Sequence, residues 1–390
     1  MVILKLAYQN MVGAGLRTWL NVSVLAFTCV LIIAHQGLFF GMNMQATRSM
    51  IQDEIAGGQY WHDVYDPYVP LTLDDAHGPL PVKLKPLVES GQGVPILIRP
   101  GTIYPQGRMQ SVLLQGIDPE QNILGLPTAE MKAGDGDIPV MLGKHMAKSI
   151  GLAPGDTLTI RWRDAHGTFD ARDARSVTIF DSDVVTIDKG KVWMPLATLQ
   201  EMSRMPGEAT MIVVGEDVSR PERVSGWTFK GHDILLKELR DMVFSKRVGG
   251  AIMYFILLFL AGLAIFDTQV LSVWRRRKEI GTLMALGMTR LGVISLFTLE
   301  GAFHGILAVA VAAVVGTPLL IWMAKTGIPI PGPTEDYGFA LSERLYPYYP
   351  VYLIVGTALL IMVAVTIVSF MPSRTIAKMK PTEALKGKMV

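Results

Sequence analysis

Four apolar segments, roughly Leu20 to Gly41, Gly249 to Val273, Leu291 to Ala324 and Pro350 to Met371, constrain this chain more than any other feature. Crossing a bilayer as a helix takes about 20 predominantly apolar residues, and each segment supplies them. In hydrocarbon every backbone polar group must be satisfied internally, which leaves the helix as the only conformation open to single runs of this kind. Half of the 390 residues are hydrophobic, more than a soluble domain of ordinary composition needs. The first segment is too long for the core of a signal peptide, and no convincing A-x-A site follows it, so it is expected to remain as an anchor. The third is longer than one crossing requires. Gly316-Thr317-Pro318 near its end predicts a kink or a helix that continues beyond the membrane.

Charge sets the orientation. The pieces 1–19, 274–290 and 372–390 hold twelve Lys and Arg against two acids, Glu279 and Glu383. The long segment 42–246 holds 21 Lys and Arg against 27 Asp and Glu. Cations near span ends stay on the cytoplasmic side, so both termini and the 274–290 loop are expected inside and 42–246 outside. The whole-chain charge of +2 conceals this split, and nothing in it suggests nucleic-acid binding. Cys29 is the only cysteine and falls in the first span, so the outer segment must be held by its own core rather than by a disulfide.

The expected fold class is therefore an α-helical membrane protein with four transmembrane helices and a large α+β extracytoplasmic domain between helices 1 and 2. Its parts run as an interfacial helix at 1–19, a first span at 20–41, the outer domain at 42–246 and a second span at 249–273. A cytoplasmic loop at 274–290, a third span at 291–324, an outer loop at 325–349, a fourth span at 350–371 and a tail at 372–390 follow. Met42 to Gly57 is expected to continue the first helix outward, and Asp233 to Arg247 to lead as a charged helix into the second span. Inside the outer domain, residues 138–161 read as strand, short helix, turn at Ala153-Pro154-Gly155-Asp156, and strand. Val177 to Ile187 and Met211 to Val214 read as strands, and Trp193 to Ser203 as a helix started near Pro195.

The loop after the second span, Ser272 to Arg290, carries four consecutive cations (Arg275 to Lys278), then Glu279 and a small-residue run ending in Gly287. It reads as a short helix lying at the membrane surface and offered to a cytosolic partner. Together with three other stretches it resembles the FtsX-like/MacB-type ABC transporter permeases, most nearly their lipoprotein-releasing LolC/LolE branch. The family's loop runs roughly S-V-x-E-R-x-R-E-I-G-x-L-R-A-L-G-M. Here Ser272, Val273, Arg276, Lys278, Glu279, Ile280, Gly281, Leu283, Ala285, Leu286, Gly287 and Met288 follow it. Gln115 to Glu120 resembles the family's G-I-D-P-E element, Gly143-Lys144 through Gly155-Asp156 its G-K-x-x-A…G-D element, and Pro381 to Leu385 its P-x-E-A-L ending. Arg275, Met284 and Asp267 depart from the branch, which usually has Glu, Arg and Asn there.

The resemblance implies a permease subunit that pairs with a second permease subunit, identical or paralogous, and with a cytosolic ABC ATPase subunit. It implies mechanotransmission on an amphipathic or lipid-anchored cargo such as a lipoprotein, in contact with membrane lipids and with room for a periplasmic or outer-membrane partner. The place implied is the bacterial inner membrane. The alternative, also found in the family, is a regulator that activates a cell-wall hydrolase and transports nothing. The loop would be the coupling helix, with Arg275, Arg276, Lys278, Glu279, Gly281 and Gly287 as its coupling residues, the glycines for close approach and the charges for register. Its cations would also suit a purely topological anchor.

No cofactor of the chain's own is expected. Each of the Gly-Lys pairs, at Gly143-Lys144, Gly190-Lys191 and Gly387-Lys388, lacks the Ser or Thr of a phosphate-binding loop, so ATP-Mg would bind the partner ATPase. No metal-ligand spacing or catalytic motif joins His62, His77, His145, His166 and His232.

Polar groups inside spans are costly and carry functional expectations. They are His35 and Gln36 in the first span, Asp267 in the second, and Glu300 and His304 in the third. His35 and Gln36 are expected to snorkel to the interface, with a bound lipid chain or peptide passing there as the alternative, Asp267 to act at the interface or link to nearby arginines, and Glu300 to bond between helices or to transmit motion. Gly37-x-x-x-Gly41 and Gly301-x-x-x-Gly305 permit close helix approach, as in a dimer.

Overall fold

A computed structural model of the protein describes residues 15–132, 137–181, 185–216, 218–219, 224–329 and 344–378. The start of the expected interfacial helix, most of the 325–349 loop and the Pro381 to Leu385 stretch lie outside them. The contacts divide the chain into two units, Met1–Met42, Val243–Ile328 and Leu345–Val390 in one, Asn43–Met242 and Pro329–Arg344 in the other.

Long apolar runs form the helices of the first unit. Helix α1 spans Leu16–Met50 and passes through a π turn, Ile51–Ile55, into the second unit. The short helices of the second unit include α2 (Lys144–Ile150) and α3 (Leu196–Ser203). They are followed by α4 (Lys237–Arg275), α5 (Arg277–Ala285), α6 (Arg290–Val311), α7 (Thr317–Thr326) and α8 (Val351–Ser373). Among the described residues four helical stretches are long and apolar enough to cross a membrane: Thr18–Ile55, Lys237–Arg275, Arg290–Thr326 and Val351–Ile376. The third is continuous through Gly316-Thr317-Pro318, where a π turn, Ala312–Gly316, absorbs the proline.

Small residues decide how these helices meet. Along α8, Leu353, Thr357, Ile361, Val365 and Ser369 recur every fourth residue as a buried seam, while Val355, Leu359, Val363 and Ile367 are exposed as an apolar face. A Cβ on Gly301 of α6 would lie 2.0 Å from Ser369 Oγ, and one on Gly305 would lie 3.0 Å from Met362 Sδ. Likewise a Cβ on Gly41 would meet the Tyr346 carbonyl at 2.0 Å. Both small-residue spacings are thus occupied by contacts within the chain, which accounts for them without a second copy.

The second unit is built on nine strands: β1 (Gly58–His62), β2 (Gly93–Tyr104), β3 (Gln110–Ile117), β4 (Ile138–Gly143), β5 (Thr157–Arg163), β6 (Phe169–Phe180), β7 (Lys191–Pro195), β8 (Met211–Val214) and β9 (Trp227–Lys230). Their order is β9-β1-β8-β2-β3-β7-β4-β6-β5, and β5 pairs back onto β2. The six strands from β2 to β5 therefore close into a ring, which leaves no open edge among them. Strand alternation sorts side chains between two cores. Val140, Leu142, Val192 and Met194 join Leu114, Ile160 and Trp162 in one cluster, whereas Met141 and Trp193 join Ile96, Ile98 and Met211 in the other.

Two expected boundaries are corrected by this alternation. Trp193 and Met194 belong to a strand because each faces a different core, and helix α3 begins only after Pro195, whose extended backbone caps it. The strand at Val177 stops at Phe180, and Ile187 lies in a short helix, Val185–Asp188. That helix has a local purpose. The buried Asp188 carboxylate accepts from the backbone N–H groups of His145 (2.7 Å) and Met146 (3.0 Å), and from the His145 ring (2.6 Å). Gly143 precedes them because a Cβ there would lie 1.9 Å from Asp188 Oδ1.

Candidate functional site

Between α4 and α6 the chain makes the short helix α5, whose pattern is amphipathic. Ile280, Leu283, Met284 and Met288 turn inward against Val273, Val293, Ile294, Phe297 and Ile376. Lys278, Glu279, Thr282, Ala285 and Leu286 are exposed, and Leu286 is 81% exposed although fully apolar. Gly281 is buried beside Ile280. Gly287 takes φ +96° with open space around it, and the N–H of Met288 returns to the Leu283 carbonyl at 3.0 Å. The role of Gly287 here is to end the helix in a left-handed turn, and Thr289 then caps α6 by accepting from Gly292 N at 3.2 Å.

Arg276 occupies the joint between α4 and α5. Its guanidinium donates from Nε and Nη2 to both carboxylate oxygens of Glu279, at 2.7 and 2.6 Å, and from Nη1 to Glu300 Oε2 at 2.8 Å. Its Cζ lies 4.8 Å from the centre of the Phe297 ring. The fork geometry of guanidinium makes this double engagement possible where a lysine could supply only a point charge. Burial opposes the charge on Arg276, but the Glu279 hydrogen bond and the Glu300 carboxylate outweigh it and push its pKa up. The same hydrogen bond pulls the Glu279 pKa below the usual carboxylate range, against the smaller effect of burial. Glu300 is 5% exposed and sits one turn before His304, whose Nδ1 donates to the Glu300 carbonyl at 2.8 Å. Arg277 instead stacks over Trp274 at 4.0 Å, and Arg275 is exposed.

Behind the Arg276 joint lies a cavity of about 410 Å³ whose lining includes Asn21, Thr268, Gln269, Ser272, Glu300 and His304. Asn21 Nδ2 donates to Thr268 Oγ1 at 2.8 Å, which ties α1 to α4. Asn21, Thr268 and Gln269 escape notice in the sequence because each is a small uncharged polar residue; only their common depth in two spans hints at a shared site.

The other intramembrane polar residues have contacts of their own. His35 Nδ1 lies 2.8 Å from the Tyr254 hydroxyl on α4, and its ring meets Phe39 edge-on. Gln36 is half-buried. Asp267 is exposed, and among the described residues no ion pair joins it to Arg276, which turns to Glu279 and Glu300, or to Arg277, which stacks on Trp274. No three His, Cys, Asp or Glu side chains among the described residues converge as a metal site.

Residues 251–381 match the FtsX-like permease C-terminal family. The chain is 22% identical over 315 residues to a lipoprotein-releasing system transmembrane protein LolC of Xylella fastidiosa, covering 72% of this chain and 74% of that one. It is 29% identical over 130 residues to an uncharacterized ABC transporter permease of Methanocaldococcus jannaschii, covering 33% of this chain and 30% of that protein. Among solved structures, the periplasmic region of MacB from Actinobacillus actinomycetemcomitans aligns with a TM-score of 0.31 and 12% identity, over 47% of this chain and 92% of that one. The matched segment contains α5, the Arg276 joint, Glu300 and the seam of α6 against α8, and over that segment this chain is similar to the FtsX-like permeases.

Proposed function

We propose that this permease works by mechanotransmission: a separate ATPase subunit moves α5, and the motion is carried to an outer domain that acts on a lipid-anchored or amphipathic cargo such as a lipoprotein. The observation that carries this reading is the Arg276 clamp. It bonds the loop helix, through Glu279, to the buried Glu300 of the third span, so a displacement of α5 cannot leave α6 behind. The exposed face of α5, above all Lys278 and Leu286, is the part available to a cytosolic partner. The charge asymmetry along the sequence supports a cytoplasmic position for α5 and both termini and an outer position for residues 42–246. The LolC relative, named for lipoprotein release, supports the cargo class.

Affinity purification of the tagged protein in mild detergent, with ATPase turnover measured in the recovered complex, tests the proposal. Recovery of an ATPase subunit, at least ten-fold lower with the pair Lys278→Glu and Leu286→Ala, is expected, as is ATP-dependent release of lipoprotein from vesicles. Recovery of a cell-wall hydrolase stimulated by ATP, with no cargo released, would replace transport by regulation, and absence of any ATPase sinks both.

A further inference from the structure

The cavity of about 410 Å³ behind the Arg276 joint lies wholly within the first unit. Every side chain lining it is polar or charged, from Thr18 and Asn21 on α1 through Ser272 and Arg275 on α4 to His304 on α6. In a bundle that is otherwise apolar, such a lining is costly unless something polar fills it. Asn21 and Glu300 are buried in its wall. Asn21 gives its amide N–H to Thr268 Oγ1 at 2.8 Å, and its carbonyl oxygen makes no hydrogen bond among the described residues.

Arg275 decides the charge of the site. Arg276 is held by Glu279 and Glu300, whereas Arg275 is exposed and makes no ion pair or hydrogen bond among the described residues. Glu300, the one acid in the lining, is thus already matched, and the Arg275 guanidinium stands uncompensated at the mouth. Its fork fits the oxygens of a phosphate, and Ser272, three residues earlier on the same side of α4, offers a hydroxyl beside it. The flanks indicate the source of that phosphate. Trp19 and Trp274 are exposed next to Thr18 and Arg275, and tryptophan gathers at the headgroup level of a bilayer. Leu20 and Leu271 are exposed close by on the same two helices. Such flanks suit acyl chains and do nothing for a soluble anion, and basic pockets between spans recur as sites for anionic lipid heads.

We infer that this cavity holds the head of an anionic phospholipid. The phosphate lies on Arg275 and Ser272, a hydroxyl of the head donates to the Asn21 carbonyl, and the acyl chains run along the exposed apolar sides of α1 and α4. Binding is read without nucleotide or ATPase, so its failure and a failure of the coupling role are separate results. The full chain in mild detergent is titrated with dioleoylphosphatidylglycerol or dioleoylphosphatidylcholine, and bound lipid is followed by native mass spectrometry. Phosphatidylglycerol should be held about five-fold more tightly, the worth of one cation engaged at the headgroup level. Arg275→Gln removes that cation and Ser272→Leu fills the mouth, and each should weaken half-saturation by roughly the same factor. Arg290→Gln removes an exposed cation outside the lining and should leave binding unchanged. Millimolar glycerophosphate should not displace the lipid. Equal retention of the two lipids, indifference to Arg275→Gln or to Ser272→Leu, or an equal loss from Arg290→Gln overturns the inference. So does displacement by glycerophosphate, which would make the ligand a soluble phosphate.

Discussion

Arg276 satisfies two carboxylates, and the consequences of removing it depend on which one is left alone. Glu279 is exposed enough to be rehydrated, whereas Glu300 is buried, so Arg276→Ala strands a charge in an apolar bundle. The expected cost is about 2 kcal/mol, the low side of what a broken buried pair costs because the arginine keeps some solvent contact. Adding Glu300→Gln to an Arg276→Met background should recover most of the lost thermal midpoint, since no uncompensated charge remains. A double variant no more stable than Arg276→Met alone would show that the ion pair is not what holds α5 to α6. The Glu279 side of the clamp has a pH signature. Its folded pKa is depressed, so its contribution is fully present above the ordinary glutamate value of about 4.3 and is lost as pH falls through the lower folded value. The difference in melting temperature between the wild type and Glu279→Gln should therefore be constant from pH 8 to pH 6 and shrink only in acid.

Elements in this chain are ended or joined by single small residues, and two glycines make contrasting demands. Gly287 needs its positive φ but has free space, so Gly287→Ala should cost about 1 kcal/mol through backbone strain alone. Gly301 has an ordinary helical backbone but no room, since its Cβ would meet Ser369 at 2.0 Å. Gly301→Ala should destabilise by about 2 kcal/mol, and Ser369→Gly placed with it should restore most of the loss, whereas no partner change rescues Gly287→Ala. Thermal unfolding of the three variants in one detergent checks this. The sequence discloses the long helices well because apolar length has a single physical meaning in a membrane. It discloses β7 poorly, since Lys191–Pro195 alternates between two apolar cores and so presents no polar face. The loop after the second span is legible as a cationic run, but the identity of its buried partner is not: Glu300 is 24 residues from Arg276, and only folding shows which of the neighbouring cations it meets. The same limit applies to Gln36 and Asp267, marked by polarity yet placed where the described residues give them no charged partner.

At the scale of the whole molecule, the charge split and the two units make a topological prediction. In a Cys29→Ser background, Lys278→Cys on α5 and Lys85→Cys in the outer unit should react with a membrane-impermeant maleimide from opposite faces of the membrane, the former only in inverted vesicles. Labelling of both from one side would overturn the orientation. The unbroken course of α1 gives this arrangement a mechanical reading. A helix of 35 residues is about 52 Å long at 1.5 Å per residue. As a lever arm pivoted at one end, it turns a tilt of about 5° into a stroke of roughly 4–5 Å at the other, close to one helical pitch. Under the proposed mechanism, a small angular input at one end of α1 would be delivered at the other as a displacement the size of a strand spacing.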